Sequence, residues 1–292
     1  MQQRSPHPNR RDVIQTAIAT AAATGLATRS AAEENAETTS FIDTNVHLFH
    51  WPFRRLPLDA SDRLVDKLRD LGIGRAWAGS FEGLLHRDLA AVNDRLVAAC
   101  GVYPELVPIG TINVNLPGWE DDLDQCLQRH RMPAVRLFPN YHGYDLNDAR
   151  FGDLLRRASK AGCLVQIAVA MEDTRTQHPL VRVEDVDSGP LKDWLAKVPD
   201  VRVQLLGHRL RGNALKHLAP LESVLFDTAR VDGTDSIAHL LDSVGTDRVM
   251  YGSHSPFLIP EAALIRVYES RLDDAAVLSV MKTTAERFVP AS

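Results

Sequence analysis

Apolar positions fall into two alternating patterns from Phe41 onward. Short runs dense in Val, Ile, Leu and Phe read as buried strands at Phe41–His47, Gly74–Ala78, Leu106–Ile112, Ala134–Phe138, Cys163–Val169, Val201–Leu206, Ser223–Phe226 and Arg248–Tyr251. Between them, apolar residues recur every three or four positions. Leu64, Val65, Leu68 and Leu71 share one helical face, as do Leu89, Val92, Leu96 and Cys100. The same spacing links Phe151, Leu154, Leu155 and Ala158, and again Ile237, Leu240, Leu241 and Val244. Each run stops near a glycine (Gly72, Gly101, Gly162, Gly245), a helix-stop signal. Shorter helical stretches fall near Leu123–Leu127 and Leu191–Leu195, and a final helix spans Asp273–Phe288. Alternation of strand and helix implies parallel strands joined by right-handed crossovers. Eight units predict an α/β fold, a single-domain (β/α)8 TIM barrel over 41–292. An open doubly wound sheet is the alternative, but no G-x-G-x-x-G follows the first strand.

Composition adds little to this picture except at the N-terminus. The chain has 292 residues, 45% apolar and 24% charged, enough for one large core. A formal charge of −5 without any Lys/Arg-rich run gives no reason to expect a nucleic-acid partner. Cys100, Cys126 and Cys163 are scattered and odd in number, which reads as buried free thiols. Asn9-Arg10-Arg11-Asp12-Val13 opens a weakly apolar stretch to Ala27, and Ser30-Ala31-Ala32 closes it. This resembles a twin-arginine signal peptide, with Val13 where Phe is usual and Asn9 where Ser or Thr is usual. A signal over 1–32 and a polar spacer over 33–40 imply export to the periplasm or outside the cell; a leader without an address implies the cytoplasm. The segment is too short and polar for a membrane span.

Barrel enzymes carry their chemistry at the C-terminal strand ends. Polar residues gather there. The first strand ends in Asn45-Val46-His47, the fifth carries Gln166, the sixth runs into Gly207-His208, and the eighth into Gly252-Ser253-His254. Arg136 alternates with Val135 and Leu137, so its side chain points opposite to theirs, into the barrel. There it would bind an acidic substrate group or pair with Asp43 or Asp227. His142 follows the fourth strand closely enough to reach the same pocket.

These segments resemble the amidohydrolase-related family. Ile42-Asp43-Thr44-Asn45-Val46-His47-Leu48-Phe49 is similar to its D-x-H-x-H-x-F, Tyr251-Gly252-Ser253-His254-Ser255-Pro256 to its G-S-D-x-P, and Thr284-Ala285-Glu286-Arg287-Phe288 to its closing N-A-x-R-L-F. Leu205-Leu206-Gly207-His208 resembles the strand-six histidine. The resemblance implies one divalent metal held by two strand-one histidines, a strand-five histidine and a strand-eight aspartate. Here those positions hold Asn45, His47, Gln166 and His254, so only one of the four keeps its identity. Amide oxygens are weak ligands for zinc.

Three readings stand side by side. His47, His208 and His254 would hold one zinc or manganese with water in the open position. Alternatively, His254 acts on water without metal, with His208 beside it. In the third, catalysis is lost and the barrel only binds a ligand. The expected activity is hydrolysis of a C–O or C–N bond in a small acidic lactone or cyclic amide, with Arg136, Asn45, Gln166 and His142 as substrate contacts. A metal-dependent decarboxylase is the alternative within enzymes. The segment from His47 to Asp59, with His50, Trp51, Phe53, Arg54 and Arg55, reads as a lid or pocket wall, or as a surface loop with its aromatics packed inward. Glu82, His86 and the run Met171–His178 are further candidates near the mouth.

Overall fold

The computed structural model describes residues 40–288, so the expected signal and nearly all of the spacer lie outside the described residues. β1 (Phe41–Leu48) leads through α1 (Ser61–Asp70) to β2 (Ile73–Ser80), and α2 (Leu89–Cys100) leads to β3, in two pieces (Leu106–Pro108 and Gly110–Thr111). There follow α3 (Trp119–Asp124), β4 (Ala134–Leu137), α4 (Ala149–Lys160), β5 (Leu164–Ala168), α5 (Leu191–Lys197) and β6 (Arg202–Leu206). The last units are α6 (Gly212–Leu218), β7 (Val224–Asp227), α7 (Ser236–Val244), β8 (Val249–Met250) and α8 (Pro260–Glu269).

Consecutive strands pair in parallel throughout. β3 breaks beside Pro108, which has no N–H to give a ladder. Ile109 N–H bridges the break by donating to Ala78 O at 2.8 Å. Between β1 and β8, Thr44 N–H donates to Tyr251 O at 2.9 Å and His47 N–H to Ser255 O at 2.8 Å. The ring is thereby closed into a (β/α)8 TIM barrel, as the alternation predicts.

The helical faces predicted from spacing are the buried ones, with Leu71 alone half-buried. Each fully buried leucine contributes roughly 1.5–3 kcal/mol, which anchors these short helices more firmly than their intrinsic propensity. The structure also differs from the reading. α6 and α8 carry no clear apolar periodicity, and the final helix forms where expected but with a π turn inside it. It runs α over Asp274–Leu278, π over Ser279–Thr283 and α over Thr284–Glu286.

Candidate active site

The barrel lining changes character by two-residue steps along the strands. Its floor is apolar: Trp77, Ala134, Leu164, Leu225 and Met250 belong to one buried cluster. Two positions further on, Arg136 follows Ala134, Gln166 follows Leu164 and Asp227 follows Leu225, and all three are fully buried. In β1 a register shift between Asp43 and Val46 marks an irregularity.

Arg136 is the hub of this layer. Its Nε donates to Gln166 Oε1 at 2.9 Å, and its Nη1 to Val46 O at 2.9 Å and to His47 Nε2 at 3.0 Å. Its Nη2 reaches Thr44 O at 3.3 Å and Trp77 O at 3.4 Å. A guanidinium has five N–H donors, so none is left for substrate. The expected substrate contact by Arg136 is corrected on that ground, and no direct ion pair with Asp43 or Asp227 replaces it. Gln166 is likewise spent: its Nε2 donates to Thr44 O at 3.0 Å and to Gln204 Oε1 at 2.7 Å. Burial lowers Arg136 to about 9, opposed by Asp227 and Asp43, so it stays charged at neutral pH.

Two buried carboxylates answer this charge. Asp43 Oδ1 accepts from the backbone N–H groups of Asn45 and Ser253, both at 3.0 Å. Asp227 accepts from Asn45 Nδ2 at 2.7 Å and from Gly207 N–H at 3.0 Å. Burial pushes Asp43 up to about 6 and Asp227 up to about 7, against those hydrogen bonds. Asn45 therefore spends its amide N–H on Asp227 and keeps only Oδ1 unpartnered.

The histidine tautomers follow from their neighbours. Arg136 can only donate, so His47 Nε2 accepts and its proton sits on Nδ1. His254 Nε2 faces Met171 O at 2.7 Å and His208 Nε2 faces Asp227 O at 3.1 Å, so both carry the proton there and present a bare Nδ1. The Nδ1 atoms of all three are buried without partners. Unpartnered buried polar atoms at strand ends mark places for substrate or water. Burial holds His208 and His254 down to about 4, and burial followed by the charge of Arg136 lowers His47 as well, so all three are neutral at pH 7. His254 has the left-handed φ of 58°, unusual for a residue with a side chain.

His47 and His254 meet edge to face with ring centroids 5.4 Å apart. His208 packs instead on Phe226 at 5.3 Å. Among the described residues no three His, Cys, Asp or Glu side chains are grouped to hold an ion, so His47, His208 and His254 do not form the expected metal site. The donor chemistry agrees, because the lone pair of His47 Nε2 points at a cation. A divalent ion about 4 Å from a guanidinium is repelled by roughly 8 kcal/mol at an effective dielectric constant of about 20. His142 also stays apart: its Nε2 is 2.9 Å from Gly83 O and its ring meets Phe138 edge-on.

Over His47 and His254 lies an aromatic cover. Phe81 stacks on His47 at 4.8 Å, Phe257 lies 5.2 Å from His254, and Trp51 meets Phe53, Phe81, Tyr141 and Phe257 edge-on. The loop after β1 thus packs inward as a lid. Arg54 fastens it to the loop after β5 through Glu172 at 2.8 Å while lying over Phe257. Glu82 pairs with Arg95 and His178 stacks on Phe53, outside the polar layer.

At the ends of β6 and β7, a cavity of about 370 Å³ is lined by His208, Arg209 and Arg230 among others. Arg230 Nη1 has no partner. Gly207 shapes this wall: it has a φ of 61°, and a Cβ there would stand 2.4 Å from Ala170 O. Asp227 was named only as a partner for Arg136, and Gln204 and Arg230 were missed as site residues. The first two carry the signal that singled out Gln166, a polar residue within an apolar strand; Arg230 gave no pattern.

No curated protein matches this sequence. Among solved structures, 2,6-dihydroxybenzoate decarboxylase from Rhizobium is similar at a TM-score of 0.69 and 11% identity, covering 86% of this chain and 98% of that one. A 5-carboxyvanillate decarboxylase from Novosphingobium aromaticivorans, complexed with manganese and a nitrobenzoic acid, has TM-score 0.66 and 16% identity over 85% of this chain and 95% of that one. A dihydroxybenzoic acid decarboxylase from Polaromonas, with manganese and 2-nitroresorcinol, has TM-score 0.65 and 11% identity over 86% and 96%. These likenesses establish the fold. They also overturn the expected hydrolase of a lactone or cyclic amide, since the named neighbours are decarboxylases. The profile described as amidohydrolase matches residues 42–291, and the chain belongs to that family of barrel enzymes.

Proposed function

We propose that this protein decarboxylates a small aromatic acid bearing a hydroxyl group beside its carboxylate. The observation that carries the reading is the His47 and His254 pair, one offering an N–H and the other a bare nitrogen, beneath an aromatic cover. A flat ring suits that cover, since aromatic pairs add roughly 0.5–1.5 kcal/mol each beyond area burial. Arg230, whose charge acts on His254 and whose Nη1 has no partner, anchors the carboxylate. The neighbouring decarboxylases of hydroxylated benzoic acids support the substrate class.

The chemistry balances without any further reactant. His254 Nδ1 takes the hydroxyl proton and returns it to the ring carbon that bears the carboxylate. The bond from that carbon to the carboxylate breaks, CO2 leaves, and the product is the phenolate, which carries the single negative charge of the substrate. His47 Nδ1–H steadies the phenolate oxygen, with Arg136 polarising the imidazole from behind. A panel of hydroxybenzoates assayed by CO2 release and ring absorbance tests this. Turnover of ortho-hydroxy acids, abolished by His254→Ala and with KM raised by Arg230→Ala, is expected. Binding across the panel without CO2 release contradicts the reading.

A further inference from the structure

By the family pattern the metal-ligand positions are Asn45, His47, Gln166 and His254. A guanidinium stands among them. Arg136 touches both His47 Nε2, at 3.0 Å, and Gln166 Oε1, at 2.9 Å, so two of the four positions spend their acceptor atoms on this one cation. Room for it is cut into the neighbouring strand. Gly79 is the register partner of His47, and a Cβ there would stand 2.8 Å from Arg136 Nη1 and 3.1 Å from its Cζ. The five hydrogen bonds of Arg136 hold the charge in one place, and the buried carboxylates of Asp43 and Asp227 lie close enough to act on it.

We propose that Arg136 is a built-in cation that takes the place of the family's divalent metal, so that the site admits no metal ion. An ion entering would meet a like charge and find the lone pair of His47 Nε2 already committed. The amide at Gln166 suits this arrangement better than an imidazole would. Its oxygen accepts from the guanidinium while its nitrogen donates to Thr44 O and Gln204 Oε1. The positive charge then reaches a bound molecule through the His47 imidazole, not by coordination. This inference concerns the protein alone and stands or falls separately from the decarboxylase reading.

Titrating the purified full chain with manganese chloride, followed by equilibrium dialysis and thermal unfolding, tests it. The expected result is no stoichiometric uptake, no rise in Tm with manganese and no fall in Tm with chelator. One tightly held manganese per chain, whose removal lowers Tm, overturns the proposal. A second arm restores the ligands with Asn45→His, Gln166→His and His254→Asp together, once with Arg136 kept and once with Arg136→Met. Manganese should bind at least tenfold more tightly when the guanidinium is gone. Equal affinity in the two backgrounds overturns the proposal, and if either variant fails to fold the titration of the natural chain decides alone.

Discussion

Replacing Arg136 by Met removes a buried charge while keeping most of the side-chain volume, and its cost follows from the hydrogen bonds it breaks. Three are short: to Gln166 Oε1 at 2.9 Å, to Val46 O at 2.9 Å and to His47 Nε2 at 3.0 Å. The two to Thr44 O and Trp77 O, at 3.3 and 3.4 Å, contribute less. A buried acceptor left without a donor costs about 1–3 kcal/mol, and breaking a buried charged network from one side costs about 3–5 kcal/mol. Gln166 can turn its amide and His47 can change tautomer, which offsets part of the loss. The expected destabilisation is therefore about 3–5 kcal/mol, read from the urea midpoint at unchanged m-value. Asp43 and Asp227 lose the charge that favours their ionised forms, so the deficit should be larger at pH 8 than at pH 5. Arg136→Lys, with charge but fewer donors, should fall between. A loss below about 1 kcal/mol for Arg136→Met, or no dependence on pH, would refute the placement of this residue as the hub.

Other perturbations test separate parts of the site. Gly207→Ala should cost about 1–3 kcal/mol, because a side chain is strained at φ 61° and would meet Ala170 O; a neutral effect on Tm contradicts the local geometry. Arg54→Ala frees the lid from Glu172, and faster hydrogen exchange should appear in residues 50–58 while the strands stay protected; unchanged exchange means the ion pair does not hold the cover. Stability should fall as pH drops from about 6.5 to 4. In that window the unfolded chain takes up protons that buried His47, His142, His208 and His254 refuse, at about 1.4 kcal/mol per pH unit per proton. Asp43 and Asp227, raised to about 6 and 7, act oppositely as pH climbs past 4, but the histidines outnumber them. His142→Asn should lessen the slope by one proton; a steeper or equal slope argues against its burial as a neutral ring.

How far the sequence reveals this molecule depends on the range of each interaction. Leu154, Leu155 and Ala158 announce α4 because helix periodicity is local. α8 was hidden because its buried positions, Pro260, Ala263 and Val267, include a proline and an alanine, which weigh little as apolar signals. α6 buries Leu218 alone. Strand alternation correctly turned Arg136 inward, yet its depth depends on how β2 and β4 lie across the barrel and on the space left by Gly79. The bond from Asn45 Nδ2 to Asp227 was hidden because the two residues lie 182 positions apart. The histidines could be named from their strand ends, but their tautomers come from Arg136 and the carbonyls of Met171 and Asp227. No pattern along the chain shows those pairings.

The imidazole nitrogens offer the most direct test of this account. Long-range 1H–15N spectra of the histidine-labelled protein at pH 7 report which nitrogen of each ring carries the proton. The account predicts neutral rings, with His47 protonated on Nδ1 and His254 on Nε2, assigned by loss of each signal in His47→Gln and His254→Gln. A charged His47, or the same tautomer at both residues, would contradict the complementary pair on which the proposed chemistry rests.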